Sequence, residues 1–389
     1  MTNQPEMTLE IDRYLDEACS FLKNSLMYQM SLGSKELFHS NVWGWLLENE
    51  KSFIKVFYPD FDLSQYANGT QIWPCREEHH RDLLIWLEKT NGEKSHLVIE
   101  NKIKSIPTRE QLKGYSVQLN DSPFAGGVLT GIGKNCQIDL TGIEGGQWTY
   151  IDYSELACRI YRIAQESSAP VIQSHLAQIT EYCQIIRCID RVLADKLKKQ
   201  ENRLCWECDR ELSELRIDDV FKKLKLAQFA KFVQERASCL RSPEGFKVRI
   251  SQWFSNGKSI FDIRYAQDSP GVDEPYRELS IQIEGNQFRL GSQANGHIPK
   301  MTTDKAFADY AGSWFDASFD AGRSRTVWGR KTTMKPRNGK QYDSYCVAGS
   351  YCYVYQYFDI DQIGDSFEDL FALIDEYMRK ACDILENGK

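Results

Sequence analysis

The stretch from residue 82 to 102 places two acids and a lysine where an apolar strand would run unbroken. Leu97-Val98-Ile99 continues into Glu100-Asn101-Lys102 before Ile103 resumes the apolar pattern. Charges inside such a strand are costly unless they are paired or bind a metal. Strand geometry repeats every two residues, so Glu100 and Lys102 share one face and Asn101 takes the other. Asp82 opens the preceding apolar run, Asp82-Leu83-Leu84-Ile85-Trp86-Leu87. Two carboxylates and an ammonium at one sheet edge suit a hard divalent cation, because Mg²⁺ takes oxygen ligands and keeps several waters. The carboxylates would hold the ion. The lysine, beside a metal-bound water, would orient it or neutralise charge in the transition state. That is the chemistry of phosphodiester hydrolysis. The plainer alternative is a surface hairpin with an exposed Asp82–Lys102 salt bridge, which contributes little.

Whether the three groups meet depends on register. Asn91-Gly92 marks the turn between the strands. A strict two-residue loop would set Asp82 opposite Asn101 and send Glu100 to the wrong face. Pairing Asp82 with Lys102 and Leu84 with Glu100 puts all three on one face. The sequence therefore predicts an odd-length loop or a bulge between them.

The flanking elements add polar groups. Ser34 could cap a helix through Glu36, Leu37, Trp43 and Leu46-Leu47 to about Tyr58-Pro59, with Glu36 and Ser40 one turn apart. Glu36 could be a further metal ligand, or only a first-turn acid complementing the helix dipole. Pro107-Thr108 opens a helix carrying Gln111 and Tyr115, again one turn apart. Both could touch a phosphate or orient water, although Thr108 to Gln111 also reads as a capping box. Arg76 and Arg81 flank the Asp82 strand and are candidates to pair with its acids. His79 and His80 in the approach loop are candidate bases or plain solvated residues.

In order along the chain, these residues resemble the PD-(D/E)XK nuclease superfamily: Glu36 on a helix, Asp82 on a strand, Glu100-Asn101-Lys102 on the next, Gln111 and Tyr115 on a helix. The Glu-Asn-Lys third motif looks like that of a bacterial subfamily. The resemblance covers roughly residues 30–160, and Arg81 stands where the pattern has Pro. It implies an α/β fold with a restriction-endonuclease-like αβββαβ core. It also implies Mg²⁺, with Mn²⁺ as a substitute, held by Asp82, Glu100, the main-chain carbonyl of Asn101 and Glu36. Lys102 would stand at the attacking water, with Gln111 and Tyr115 beside the site. The implied substrate is nucleic acid, DNA ahead of RNA, and a role in bacterial defence against foreign DNA is compatible with it.

The remaining chain sets the frame. Its 389 residues predict two or three domains. With 42% hydrophobic and 12% aromatic residues it can bury a real core. No apolar run approaches the roughly 18 residues of a membrane span. The first residues carry no secretory signal pattern, so a cytoplasmic chain is expected. Its 12 Cys show no disulfide framework. Cys205 and Cys208 with Cys183 and Cys188 could make a zinc site, but 183 and 188 lie on different faces of a helical pattern, and free thiols fit better. Further strands are read at Gly127–Thr130 and Trp148–Ile151. The expected division is a nuclease-like domain over 1–170, a helical connector over 171–240 and an α+β domain over 241–389. In that last part, residues 246–253, 259–266, 278–284 and 287–291 alternate like antiparallel strands, and a helix spans about 366–386.

The net charge of −7 speaks against a general affinity for nucleic acid, but it hides a local excess. Residues 321–340 hold Arg323, Arg325, Arg330, Lys331, Lys335, Arg337 and Lys340 with no acid, and Trp328 among them. Such a cluster can meet a phosphate backbone while the indole stacks on a base; a solvated basic loop is the plainer reading. Tyr351, Tyr353, Tyr355 and Tyr357 fall on one strand face, suiting sheet packing or a protein interface. The leading expectation is a Mg²⁺-dependent nuclease, with a homo-oligomer or a defence-system partner protein compatible with it. The alternative is a catalytically inactive nuclease-fold module that binds nucleic acid or a partner.

Overall fold

The computed structural model describes residues 15–31, 36–66, 71–103, 107–133, 138, 140–204, 209–255, 258–267, 276–295, 324–327, 347–348, 351–360 and 364–387. The chain divides into two compact units. The first runs to Lys199 and takes in Cys208–Phe221; the second takes in Gln200–Glu207 and the chain from Lys222 on.

The first unit opens with helices α1 (Leu15–Asn24), α2 (Leu26–Ser31), α3 (Glu36–Asn49) and the single turn α4 (Ile54–Phe57). The long helix expected to Tyr58 is thus interrupted after Asn49, where the Glu50 side chain caps a short 3₁₀ turn through the Ser52 amide. Strands β1 (Ile72–Arg76), β2 (Leu83–Glu88) and β3 (Lys94–Lys102) follow, then α5 (Arg109–Tyr115), β4 (Phe124–Gly131) and β5 (Trp148–Asp152). Helices α6 (Tyr153–Glu166), α7 (Pro170–Ser174), α8 (Leu176–Lys199) and α9 (Arg210–Glu214) complete the unit.

The five strands lie in chain order, antiparallel from β1 to β3 and parallel from β3 to β5. From α3 to β4 the elements run αβββαβ, the expected restriction-endonuclease-like core. The sequence reading missed β1. It contains Pro74, which lacks an amide donor and is tolerated here because β1 is the sheet edge.

Hydrophobic alternation sorts the two faces. Leu84, Val98, Leu129 and Trp148 pack with Leu112 of α5. The odd-numbered residues of β3 turn the other way, and Asn101 there reaches α3 and α6. Gly127 is required on β4: a Cβ there would come within 2.5 Å of the Trp148 ring.

The second unit holds most of α10 (Asp218–Arg236) and a seven-stranded sheet: β6 (Phe246–Ser255), β7 (Lys258–Gln267), β8 (Tyr276–Glu284), β9 (Gln287–Asn295), β10 (Ser324–Val327), β11 (Val347–Ala348) and β12 (Tyr351–Asp359). Helix α11 (Phe367–Asn387) closes the chain. Phe229 and Val233 of α10 and Ile374, Tyr377 and Met378 of α11 pack on Phe261, Ile263, Ile281 and Phe288, so both helices cover one sheet face. This is the expected C-terminal α+β arrangement. Helices α7 to α9 from the stretch read as a connector belong to the first unit. Among the described residues no helix is long and apolar enough to cross a membrane.

Candidate active site

The hairpin of β2 and β3 decides the site. Leu83 pairs with Ile99 and Glu88 with Lys94, leaving the odd-length loop Lys89–Glu93. The even register was expected, but the offset differs. Continuing the ladder sets Asp82 opposite Glu100, not Lys102, and Asp82 lies one residue before β2 instead of opening it. Because the offset changes by a whole pair, the shared face survives. Asp82, Glu100 and Lys102 all lie on the side of the sheet that carries α5.

The hydrogen bonds tie the two strands at this point. The Asn101 amide donates to Asp82 Oδ2 at 2.7 Å, and the Asp82 amide approaches Glu100 Oε2 at 3.4 Å. Lys102 Nζ lies 2.7 Å from Glu100 Oε1. Gln111 Nε2 donates to the same Oε1 at 3.3 Å and to the Tyr115 hydroxyl at 2.8 Å. The Tyr115 hydroxyl in turn donates to the His80 carbonyl at 2.7 Å. Thr108 does cap α5 by accepting the Gln111 amide, so the backbone of Gln111 serves the helix while its side chain serves the site.

Burial controls the charge states. It pushes Glu100 up to about 7, against the pull of Lys102 and with the Asp82 charge adding to the rise. Burial also raises Asp82, opposed by the Asn101 amide and by Lys102, and reinforced by the Glu36 charge. At Lys102, burial works to lower the ammonium, but the charge and hydrogen bond of Glu100 outweigh it, and the group is held above its usual value. Glu36 contributes to that rise as well, so α3 brings its acid within electrostatic reach of Lys102 and Asp82. The acids thus come from α3, from the residue before β2 and from β3, with Lys102 among them.

Other expected residues fall elsewhere. Arg81 does not hydrogen-bond to the acids. It is buried, donates to the carbonyls of His79 and Tyr115, and lies over the Tyr115 ring at 5.0 Å. The last carbonyls of a helix attract a cation, and α5 takes Arg81 for that purpose. Arg76 reaches Asn41 at 3.2 Å and approaches Glu48 at 3.9 Å. Farther along, Lys113 pairs with Glu144 and Arg109 donates to the Thr141 carbonyl. Cys183 and Cys188 are buried on α8, while Cys205 and Cys208 lie outside the described residues. Of the basic cluster, Arg325 sits in β10 opposite Tyr357. Arg323, Trp328, Arg330, Lys331, Lys335, Arg337 and Lys340 lie outside the described residues.

The sequence reading missed the groups behind the sheet. Asn101 turns its side chain away from the acids, where Tyr153 and Thr130 donate to Oδ1 at 2.6 and 3.2 Å and Nδ2 donates to the Glu36 carbonyl at 3.1 Å. The signal available was parity: Asn101 is a polar residue on the apolar face of its strand.

Asp82 and Glu100 are hard oxygen donors, a fit to Mg²⁺ or Mn²⁺ and a poor one to soft metals. Burial raises both acids, with the Glu36 charge adding to the rise at Asp82 and the Asp82 charge adding to it at Glu100. Among the described residues no three His, Cys, Asp or Glu side chains gather closely enough to hold a metal by themselves.

Residues 25–184 match the family model described as the PD-(D/E)XK nuclease superfamily, a span that includes α3, all five strands of the first sheet and α5. No curated protein and no solved structure matches. Members of that superfamily are nucleases, and they typically use divalent metals. The segment from residue 25 to 184 is therefore similar to the PD-(D/E)XK nuclease superfamily.

Proposed function

We propose that the first unit hydrolyses phosphodiester bonds of nucleic acid, DNA in preference to RNA, with Mg²⁺ or Mn²⁺. The observation that carries this reading is the convergence of Asp82, Glu100 and Lys102 on one sheet face, with Lys102 Nζ 2.7 Å from Glu100. Asp82, Glu100 and the main-chain carbonyl of Asn101 would hold the ion, with Glu36 as a further ligand or an added negative charge beside it. When bound, the ion supplies an acidified water and neutralises charge at the phosphate.

The chain's own groups then have distinct tasks. Lys102 keeps its proton, so it acts as a charge and hydrogen-bond donor at the water or at a phosphate oxygen, not as the base. Gln111 holds Glu100 in place and leaves Tyr115 to anchor α5 to the His80 loop. Preset charge of this kind needs no reorganisation during reaction, which is the source of most rate in such sites. Arg323, Arg325, Arg330, Lys331 and Trp328 are proposed to contact the substrate backbone and bases. Defence against foreign DNA is the cellular setting that the resemblance suggests. Phage plaque counts on cells carrying the wild type or Asp82→Ala would test that setting.

The biochemical test is a panel of single- and double-stranded DNA and RNA incubated with the pure protein and Mg²⁺ or Mn²⁺. Cleavage should occur and should vanish in Asp82→Ala and Lys102→Ala, with the fold retained. Intact substrates throughout, despite metal binding, would favour the inactive binding module. Normal cleavage by Glu100→Ala would remove the site assignment.

A further inference from the structure

Asn101 stands between Glu100 and Lys102 and works on both sides of the sheet. Its amide nitrogen holds Asp82 Oδ2 at 2.7 Å. Its side chain crosses to the other face, where Nδ2 holds the Glu36 carbonyl at 3.1 Å. Glu36 is the first residue of α3, so this bond ties the start of that helix to the strand carrying Glu100.

A buried carboxamide has two unlike ends, and something must decide which end points where. Asn101, Thr130 and Tyr153 are all fully buried. Oδ1 receives the Tyr153 hydroxyl at 2.6 Å and the Thr130 hydroxyl at 3.2 Å. A flipped amide would face Oδ1 to the Glu36 carbonyl oxygen, two acceptors without a proton between them, in a setting where an unmet polar group is costly. The Glu36 carbonyl, which can only accept, sets the orientation, and the two hydroxyls hold it by donating to Oδ1.

Tyr153 is itself firmly placed. It is the first residue of α6, following Asp152, whose side chain caps the helix by accepting the Glu155 amide at 2.9 Å. Its ring packs against His39 at 5.1 Å and Trp43 at 6.3 Å, both on α3. It meets α3 in two ways, through ring packing and through the Asn101 amide.

We propose that Tyr153, assisted by Thr130, is a positioning residue that holds the Asn101 side chain and so sets Glu36 against Asp82 and Glu100. Its effect on function runs through Glu36. The inference rests on the metal-dependent nuclease reading and adds to it residues that never touch metal or substrate.

The test uses the full chain and measures Mn²⁺ affinity by calorimetry, with thermal unfolding as a parallel readout. Tyr153→Phe should weaken Mn²⁺ binding about tenfold, the scale typical of partners that orient metal ligands. Thr130→Val should act in the same direction and less strongly. Glu36→Gln should also weaken binding, and adding Tyr153→Phe to it should cost nothing more, because both act on one group. Unchanged Mn²⁺ affinity in Tyr153→Phe with only a lower melting temperature would overturn the proposal. So would strictly additive losses in the double variant. Should Tyr153→Phe fail to fold, the nearly isosteric Thr130→Val carries the same double-variant test. Asp82→Ala is the control for the underlying reading. If the wild type binds no Mn²⁺, or Asp82→Ala binds it as well, the nuclease site fails and the positioning role falls with it.

Discussion

Lys102 Nζ and Glu100 Oε1 lie 2.7 Å apart on one face of β3, with side-chain exposures of 12% and 2%. The contact keeps the lysine charged in a buried place. It does not overcome the cost of burying the glutamate, which stays raised. Replacing Lys102 with Met leaves a buried acid without its cation. Cleavage should drop by roughly 10²–10³-fold, the usual scale for losing a preset electrostatic partner. Glu100 should also ionise at higher pH, shifting the onset of Mn²⁺ binding upward. A pH series of Mn²⁺ titrations on Lys102→Met and the wild type measures that shift.

Stability should depend on pH in a direction set by Glu100. Its folded-state value of about 7 lies above the 4.5 of a free glutamate. Such a group stabilises the fold fully below the lower value, and that contribution is lost as pH rises through the upper one. The metal-free protein should therefore melt at lower temperature at pH 8 than at pH 5, and the difference should shrink in Glu100→Gln. Mn²⁺ should restore most at pH 8, where the carboxylate is free to bind it. Melting curves at the two pH values, with and without Mn²⁺, decide the matter.

Gln111 and Tyr115 should separate in function. Gln111→Ala removes a donor from Glu100 and should cut cleavage roughly tenfold, the scale of one hydrogen bond to a charged group. Tyr115→Phe keeps the ring against Arg81 and loses the bond to the His80 carbonyl. It should cost about 1 kcal/mol of stability with little change in cleavage. Steady-state rates and chemical denaturation on the two variants would reveal the split; equal rate losses would contradict it.

The basic cluster makes a separate prediction. Combined Arg323→Ala, Arg325→Ala, Arg330→Ala and Lys331→Ala should weaken nucleic-acid binding and flatten its salt dependence. The logarithmic slope should fall by about three to four on double-stranded DNA if all four meet phosphates. Binding isotherms across a salt series measure the slope directly, and an unchanged slope would assign the cluster to another task.

Much of the site was legible because its signals are local. Asp82, Glu100 and Lys102 stood out as polar interruptions of apolar strands, and strand parity alone grouped Glu100 with Lys102. The αβββαβ order was implied by the resemblance; periodicity marked β2 to β5 and missed β1, whose Pro74 disguised an edge strand. Arg81 was misread because neighbours in sequence suggested the acids, whereas the carbonyl end of α5 is its partner in space.

The sequence by itself determined which groups could do chemistry and that Asn101 must face away from them, since both follow from residue type and a two-residue repeat. The tertiary structure decided the rest. The Lys89–Glu93 loop set Asp82 opposite Glu100, a choice of register that one strand's pattern leaves open among all even offsets. The packing of α3, β4 and α6 brought Glu36, Thr130 and Tyr153 to Asn101 from positions up to 65 residues away. Hydrogen bonds over such separations depend on how helices settle on the sheet, which no local spacing encodes.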